Sequence, residues 1–445
     1  MLNKKIFLVF IFAFLIRLIV LNQSLWLDEA VTANVVKNFN LTQIINKFSP
    51  TDFHPPLYYL FMKLWTNFFG YSEIALRMPS VLLSLMTGYI VYLIIGGVWA
   101  AAFFLFNPLI VYYSQEARMY IMATFFLTTA LYYFLRSVKL DSRLRGNDKN
   151  SLFFGLFISL AFLTFYGSIF FIAAMFLYLL FIKQYKVFFV SCFLFLVSFV
   201  LISPLFYQQL INSKIALINV ANWSAVLGKA NIKNLLLIPI KFSIGRISFY
   251  PKWLYWGIAG TWTGFVLFTI KTVLNKTVFI KTVFYLFIFP LVLGFLVSFF
   301  VPMLQHFRFI YLIPILAIIL ASGKNTSMYR YIIFFGFLIF SLAYLLFPQF
   351  HREDWKSLVK SLPRDKIVYM IKASGDPVKY YNENLTINEL KSLSSSSSLS
   401  SEIVVIPYTA DIYGLDYKSL LNKNSYQLKK EVSYREVTYE QWIKK

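Results

Sequence analysis

Eleven apolar runs divide the first 348 residues, near 6–22, 80–97, 98–113, 119–135, 152–166, 167–182, 187–204, 253–270, 282–300, 308–322 and 331–348. Each is roughly 16–22 residues long, enough for a helix to cross an apolar layer of about 30 Å. Backbone in such a layer must satisfy its own hydrogen bonds, so runs of this length and number specify a helical bundle in a membrane. Composition agrees, since 59% of the 445 residues are hydrophobic and only 14% are charged, against about 45–50% and about 25% in soluble domains. The net charge of +23 would suit a nucleic-acid binder, but such a protein gathers its basic residues on a soluble face. Here they fall in short loops between apolar runs, so the expected surroundings are membrane lipid and not nucleic acid. The single cysteine, Cys192, lies inside an apolar run, which leaves no disulfide frame and no thiolate metal site. The first run is long and no small-residue cleavage site follows it, so it reads as an anchor.

The basic loops orient the runs. Lys4 and Lys5 precede the first; Arg136, Lys139, Arg143, Arg145 and Lys149 follow the fourth; Lys183 and Lys186 follow the sixth. Lys271, Lys276 and Lys281 follow the eighth, and Lys324 and Arg330 the tenth. With eleven crossings these all share one side, which places the N-terminus in the cytoplasm and the C-terminus outside. Residues 1–348 are then a transmembrane domain and 349–445 a small extracytoplasmic α/β domain. In the latter, strand-like runs (Ile367 to Ile371, Ile403 to Ile406) alternate with helix-like ones (Asp354 to Leu362, Leu415 to Leu421), and the serine tract 393–401 is a linker by composition. The short apolar stretch Leu57 to Gly70 behind Pro55-Pro56 suits an interfacial helix, and the loop 205–252 has similar texture, with Trp223 and Trp253 as anchors.

Polar groups from distant parts of the chain converge on the outer face. Asp28 and Glu29 stand directly behind the first apolar run, where charge persists only with a partner or a task. A helix start would hold such a pair, and a carboxylate held there could also serve as a base. Asp52 and His54 flank the start of the interfacial helix, where Asp52 could cap it and His54 could donate to a phosphate. Gln115, Glu116 and Arg118 occupy a very short turn with Tyr120 just beyond it, and Arg308 stands at the outer mouth of the tenth run, where its fork of donors suits a phosphate. Arg17, Arg77 and Arg246 are weaker candidates, Arg17 reading as a structural or snorkelling residue. His54 and His306 show no metal-ligand spacing.

Four ordered segments carry a family pattern: LWLDEA at 25–30, DFHPPLYYL at 52–60 with GYSEIALRMPS at 70–80, YYSQEARMY at 112–120, and FRFIYLIP at 307–314. The chain resembles the family 39 glycosyltransferases and their relatives, the protein O-mannosyltransferases and the lipid A aminoarabinose transferases, all of GT-C fold. HREDWKSL at 351–358 is similar to the segment that often opens their outer C-terminal region. The resemblance implies a polyprenyl-phosphate monosaccharide donor and inverting transfer to an acceptor on a glycan, lipid or protein at the outer face of the plasma membrane. The aliphatic, lysine-rich, cysteine-poor composition fits a bacterial one. The resemblance further implies Asp28 as the base with Glu29 its companion, His54 and Arg308 on the donor phosphate, and Asp52, Gln115, Glu116, Arg118 and Tyr120 as substrate-binding neighbours. No cofactor is specified, and a divalent cation is left open. The pattern departs at Thr164-Phe165-Tyr166, where many relatives carry a His-Tyr pair after the threonine. The rival expectation is a transporter of polyprenyl lipid or solute without transferase activity, which calls for internal repeats and polar groups near the midplane.

Overall fold

The computed structural model describes residues 4–138, 149–274, 277–323, 327–363, 366–394 and 400–445. Lys139, Arg143, Arg145, Lys276, Lys324 and most of the serine tract lie outside these described residues. Helices stand at every expected apolar run, but of unequal length. Among the described residues four are long and apolar enough to cross a membrane, Glu73–Ile95, Tyr185–Asn219, Val278–Val297 and Met328–Leu346, and the apolar helices Lys149–Thr164, Tyr166–Phe181 and His306–Ala321 are shorter.

The third run is broken. It forms two short helices, Val98–Leu105 and Pro108–Tyr113, parted at Phe106 and Asn107. Pro108 has no N–H with which to continue the first helix. Asn107 caps the second, its side-chain oxygen accepting from the Leu109 (3.0 Å) and Ile110 (3.3 Å) N–H groups, and its amide donates to the Phe242 carbonyl at 2.7 Å. Residues 100–124 are buried throughout, so the interrupted segment is the centre of the bundle. A helix can break at that depth because protein, not lipid, takes up the freed groups.

The seventh run departs in the other direction, continuing through Pro204 to Asn219 as a 35-residue helix. Where Gly155 lies on this helix, an added Cβ would come within 3.0 Å of the Ser191 backbone, the close approach that small residues permit between apolar helices. Behind Pro55-Pro56 the helix Leu57–Phe69 forms as expected. It buries Tyr58, Tyr59, Met62 and Thr66 and leaves Leu64, Phe68 and Phe69 exposed.

Beyond Phe350 the chain forms the helix Trp355–Ser361 and a five-stranded sheet. Its strands are β1 (Ile367–Met370), β2 (Ile387–Glu389), β3 (Glu402–Val405), β4 (Tyr426–Tyr434) and β5 (Val437–Lys444), in the order β2-β1-β3-β5-β4. β1 pairs parallel to β2 and β3, whereas β5 pairs antiparallel to β3 and β4. Helix Trp355–Ser361 packs on one face through Trp355 and Leu358; Tyr417 and Leu421 of the helix Tyr417–Lys423 lie in the core on the other. This region grips α2 (Leu27–Asn38), the helix that follows α1 (Lys4–Leu18). Leu25 N–H donates to the Tyr381 hydroxyl (2.8 Å), Lys356 N–H to Ser24 Oγ (3.1 Å), and the Asn34 amide to Asp376 Oδ1 (2.8 Å).

Candidate active site

α2 is pinned by a buried ion pair. Glu29 and Arg77 are each 1% exposed, and Arg77 donates to both carboxylate oxygens, at 2.8 and 2.6 Å. The same guanidinium holds the carbonyls of Leu21 (2.9 Å), Gln23 (2.6 Å) and Ser24 (3.0 Å), while Ala117 N–H donates to Glu29 at 2.8 Å. A pair so fully bonded offsets the desolvation of its two charges. It locks four segments together: the helix Glu73–Ile95 that carries Arg77, the link between α1 and α2, the first turn of α2 and the turn at 114–119. Gln115 does the same from the other side, donating to the Arg17 (2.8 Å) and Ile19 (2.5 Å) carbonyls. Arg17 itself is buried and bonded to Ser84 and to the Ala13 and Leu105 carbonyls, a structural residue.

On this frame Asp28 stands in the first turn of α2, one residue past its start, with its side chain 37% exposed. Its nearest cation is Arg118, at 3.4 Å and 5% exposed. Burial opposes the charge on Arg118, but Asp28, Tyr59, Tyr120 and Asp52 around it hold it protonated. Its Nε atom is buried without a partner.

Asp52 ends a short 3-10 turn, Ser49–Thr51, and does not cap the helix Leu57–Phe69, whose N-cap is Pro56. Its Oδ1 lies 3.4 Å from His54 Nδ1, and Oδ2 is buried with no hydrogen bond assigned among the described residues, close to Tyr59. Burial pushes this carboxyl up, yet His54 and Arg118 outweigh it and keep Asp52 below the usual range. The loop is clamped from the long helix: Gln209 donates to the Ser49 (2.7 Å) and His54 (2.9 Å) carbonyls, and Asn212 to that of Pro50 (2.6 Å). Tyr166, at the point where the family pattern departs, donates to Gln209 at 2.7 Å. Arg308 makes no hydrogen bond or ion pair with its guanidinium among the described residues; Tyr120 is its electrostatic neighbour. The Tyr120 ring packs on Phe307 (5.4 Å) and Tyr113 (5.5 Å).

Glu116 leads to Arg352, to which the sequence assigned no role. It pairs with Arg352 at 3.1 Å, and its second oxygen is buried without a partner. Burial raises its carboxyl above the usual value against the pull of Arg352. The Arg352 guanidinium lies 3.7 Å from the centre of the Trp26 ring and 5.6 Å from that of Tyr112, while Arg246 lies 4.9 Å over Tyr112 and donates to its hydroxyl at 2.5 Å. Burial, with Lys241, Arg246 and Arg352 nearby, keeps His306 neutral, and its Nε2 is buried without a partner. Buried cations with unfilled donors, aromatic rings and one accessible carboxylate make a place for an anion beside a polar group that gives up a proton. No three His, Cys, Asp or Glu among the described residues are grouped to hold a metal.

Residues 53–208 match the family model of dolichyl-phosphate-mannose-protein mannosyltransferases. No curated protein matches the chain in sequence. Among solved structures it is similar to ArnT from Cupriavidus metallidurans bound to undecaprenyl phosphate, at 13% identity and a TM-score of 0.57, covering 98% of this chain and 97% of that one. Similarity to apo ArnT reaches a TM-score of 0.58 at 11% identity, with the same coverage. The archaeal oligosaccharyltransferase AglB from Archaeoglobus fulgidus, in complex with an inhibitory peptide and a dolichol-phosphate, gives 0.52 at 13% identity over 98% of this chain and 74% of that one. The chain thus has the membrane-protein fold of ArnT and AglB, and its residues 53–208 are similar to the dolichyl-phosphate-mannose-protein mannosyltransferase family.

Proposed function

We propose that the protein is an inverting glycosyltransferase that moves a monosaccharide from a polyprenyl-phosphate donor to an acceptor at the outer face of a bacterial plasma membrane. The observation that carries this reading is the contrast among four neighbouring carboxylates. Glu29 is saturated by Arg77, Glu116 is paired with Arg352, and Asp52 faces His54; Asp28 alone combines exposure with a single long contact, to Arg118.

In this reading the acceptor hydroxyl attacks the anomeric carbon as Asp28 takes its proton. The bond from that carbon to the phosphate oxygen breaks, and polyprenyl phosphate leaves with the electron pair. Charge grows on the leaving phosphate, so fixed donors aimed at it supply the largest share of the acceleration. His54, Arg118 and Arg308 are placed in that role, with Arg246 and Arg352 extending the basic wall. Tyr120 and Asp52 line the cavity. Glu29 acts as companion by fixing the turn that presents Asp28, Gln115 by fixing the neighbouring turn, and Glu116 by holding Arg352. The division into a transferase domain, 1–348, and an outer C-terminal domain, 349–445, belongs to the same proposal, with one amendment: Arg352 reaches Glu116 and Trp26 in the site.

The test is release of polyprenyl phosphate by purified protein in lipid nanodiscs, offered a panel of polyprenyl-phosphate sugars with cell-envelope acceptors. Turnover with one donor supports the reading. Persistent silence, with vesicle uptake of the same lipids, supports a transporter instead.

A further inference from the structure

The tip of the β4–β5 hairpin reaches the segment that carries Arg352. Tyr434 and Val437 pair across a two-residue turn, Arg435-Glu436, with Glu436 at φ +59°. A turn this short fixes the position of its residues relative to the sheet, and β5 is itself bound along β3. Arg435 Nε donates to the Arg352 carbonyl at 2.5 Å, and Asp354 N–H donates to the Arg435 carbonyl at 3.0 Å. The strap therefore holds the backbone on both sides of Glu353. Glu353 is bonded in turn to Tyr408, whose hydroxyl donates at 2.9 Å. One residue back, His351 Nε2 lies 2.9 Å from the Tyr344 carbonyl at the end of the helix Ser327–Leu346.

Arg352 is thus fixed through its main chain by the sheet and through its side chain by Trp26 and Glu116. Its long side chain has several rotamers to lose; the contacts with Trp26 and Glu116 restrict them, and the bond at its carbonyl fixes the backbone from which the side chain starts. We infer that Arg435 is a positioning residue, and that the C-terminal sheet acts on the transfer site by clamping Arg352 against Glu116 and Trp26. This rests on the transferase reading for its catalytic consequence, but the clamp itself has a readout without turnover.

The experiment uses the full chain in lipid nanodiscs, labelled with 5-fluorotryptophan, the Trp26 resonance being assigned by its loss in Trp26→Phe. Arg352→Ala removes the cation over the ring and moves that resonance. The clamp predicts that Arg435→Ala moves it in the same direction, that Arg435→Lys restores part of the shift, and that the double variant moves it no further than Arg352→Ala. A wild-type resonance in Arg435→Ala, or a double variant that sums the two shifts, overturns the inference. Polyprenyl phosphate release then reads the consequence. Arg435→Ala should lower kcat about tenfold through misplacement, with donor KM within about twofold and no further loss when Arg435→Ala is added to Arg352→Ala. Unchanged kcat in Arg435→Ala overturns the positioning role even if the resonance moves. If the wild type releases nothing with any donor, the transferase reading fails and the fluorine resonance still decides the clamp.

Discussion

Asp28 and Glu29 are neighbours in sequence with opposite surroundings. Glu29 is enclosed in four hydrogen bonds with Arg77, Ala117 and its own turn where that helix begins, Asp28 in little more than one long contact. Arg77→Ala should therefore cost about 3–5 kcal/mol, because it leaves a buried carboxylate uncompensated; a thermal unfolding midpoint within a degree of wild type would contradict the pairing. Arg308→Ala should raise donor KM about tenfold, the worth of one charge-assisted bond to a phosphate, and leave acceptor KM near wild type. Unchanged donor kinetics would remove that residue from the site. The pair at 28–29 was visible in the sequence because charge beside hydrocarbon is costly. Its partner was not, because Arg77 lies 48 positions away and its proximity exists only once α1 and the helix Glu73–Ile95 have packed. Arg352 was harder still, being one basic residue in a polar segment where a solvated charge is the ordinary outcome.

At the scale of elements, the loop at 49–54 depends on the helix Tyr185–Asn219. Gln209 supplies two of its anchors and Asn212 a third. Gln209→Ala should loosen the loop by about 1–3 kcal/mol, read as faster amide exchange over residues 49–54 with little change in the surrounding helices. Equal exchange in both proteins would show that the loop holds itself. The helices were legible from apolar runs, since a membrane leaves the backbone no other choice. Their lengths were not. Asn107-Pro108 broke one run, and the half-apolar stretch 205–219 extended another, because tertiary partners outweighed local pattern at both places. In the C-terminal region β1 and β3 follow from their Val- and Ile-rich runs. β4, with Lys429, Lys430 and Glu431 mostly facing solvent, lacks the buried alternation that marks a strand.

For the whole molecule, the excess of basic residues has two destinations. Many lie in the loops used above to orient the helices. Others, Arg118, Arg246, Arg308 and Arg352, gather where α2, the turn at 114–119, the loop 49–54 and the segment after Phe350 meet. Arg118 is buried and the others half-buried. The unfilled donors of Arg118 and Arg308 among the described residues call for an anion, and an apolar bundle around them suits one attached to a lipid. That combination is the physical content of the transferase proposal, and it extends through the C-terminal sheet by way of Arg352.

The most direct test compares wild type with Asp28→Asn in nanodiscs, measuring both binding of a polyprenyl-phosphate sugar and release of polyprenyl phosphate in the presence of acceptor. The account predicts equal binding and a loss of at least about a hundredfold in release, the contribution of a general base. Release by Asp28→Asn at the wild-type rate would contradict it and move the base to another group.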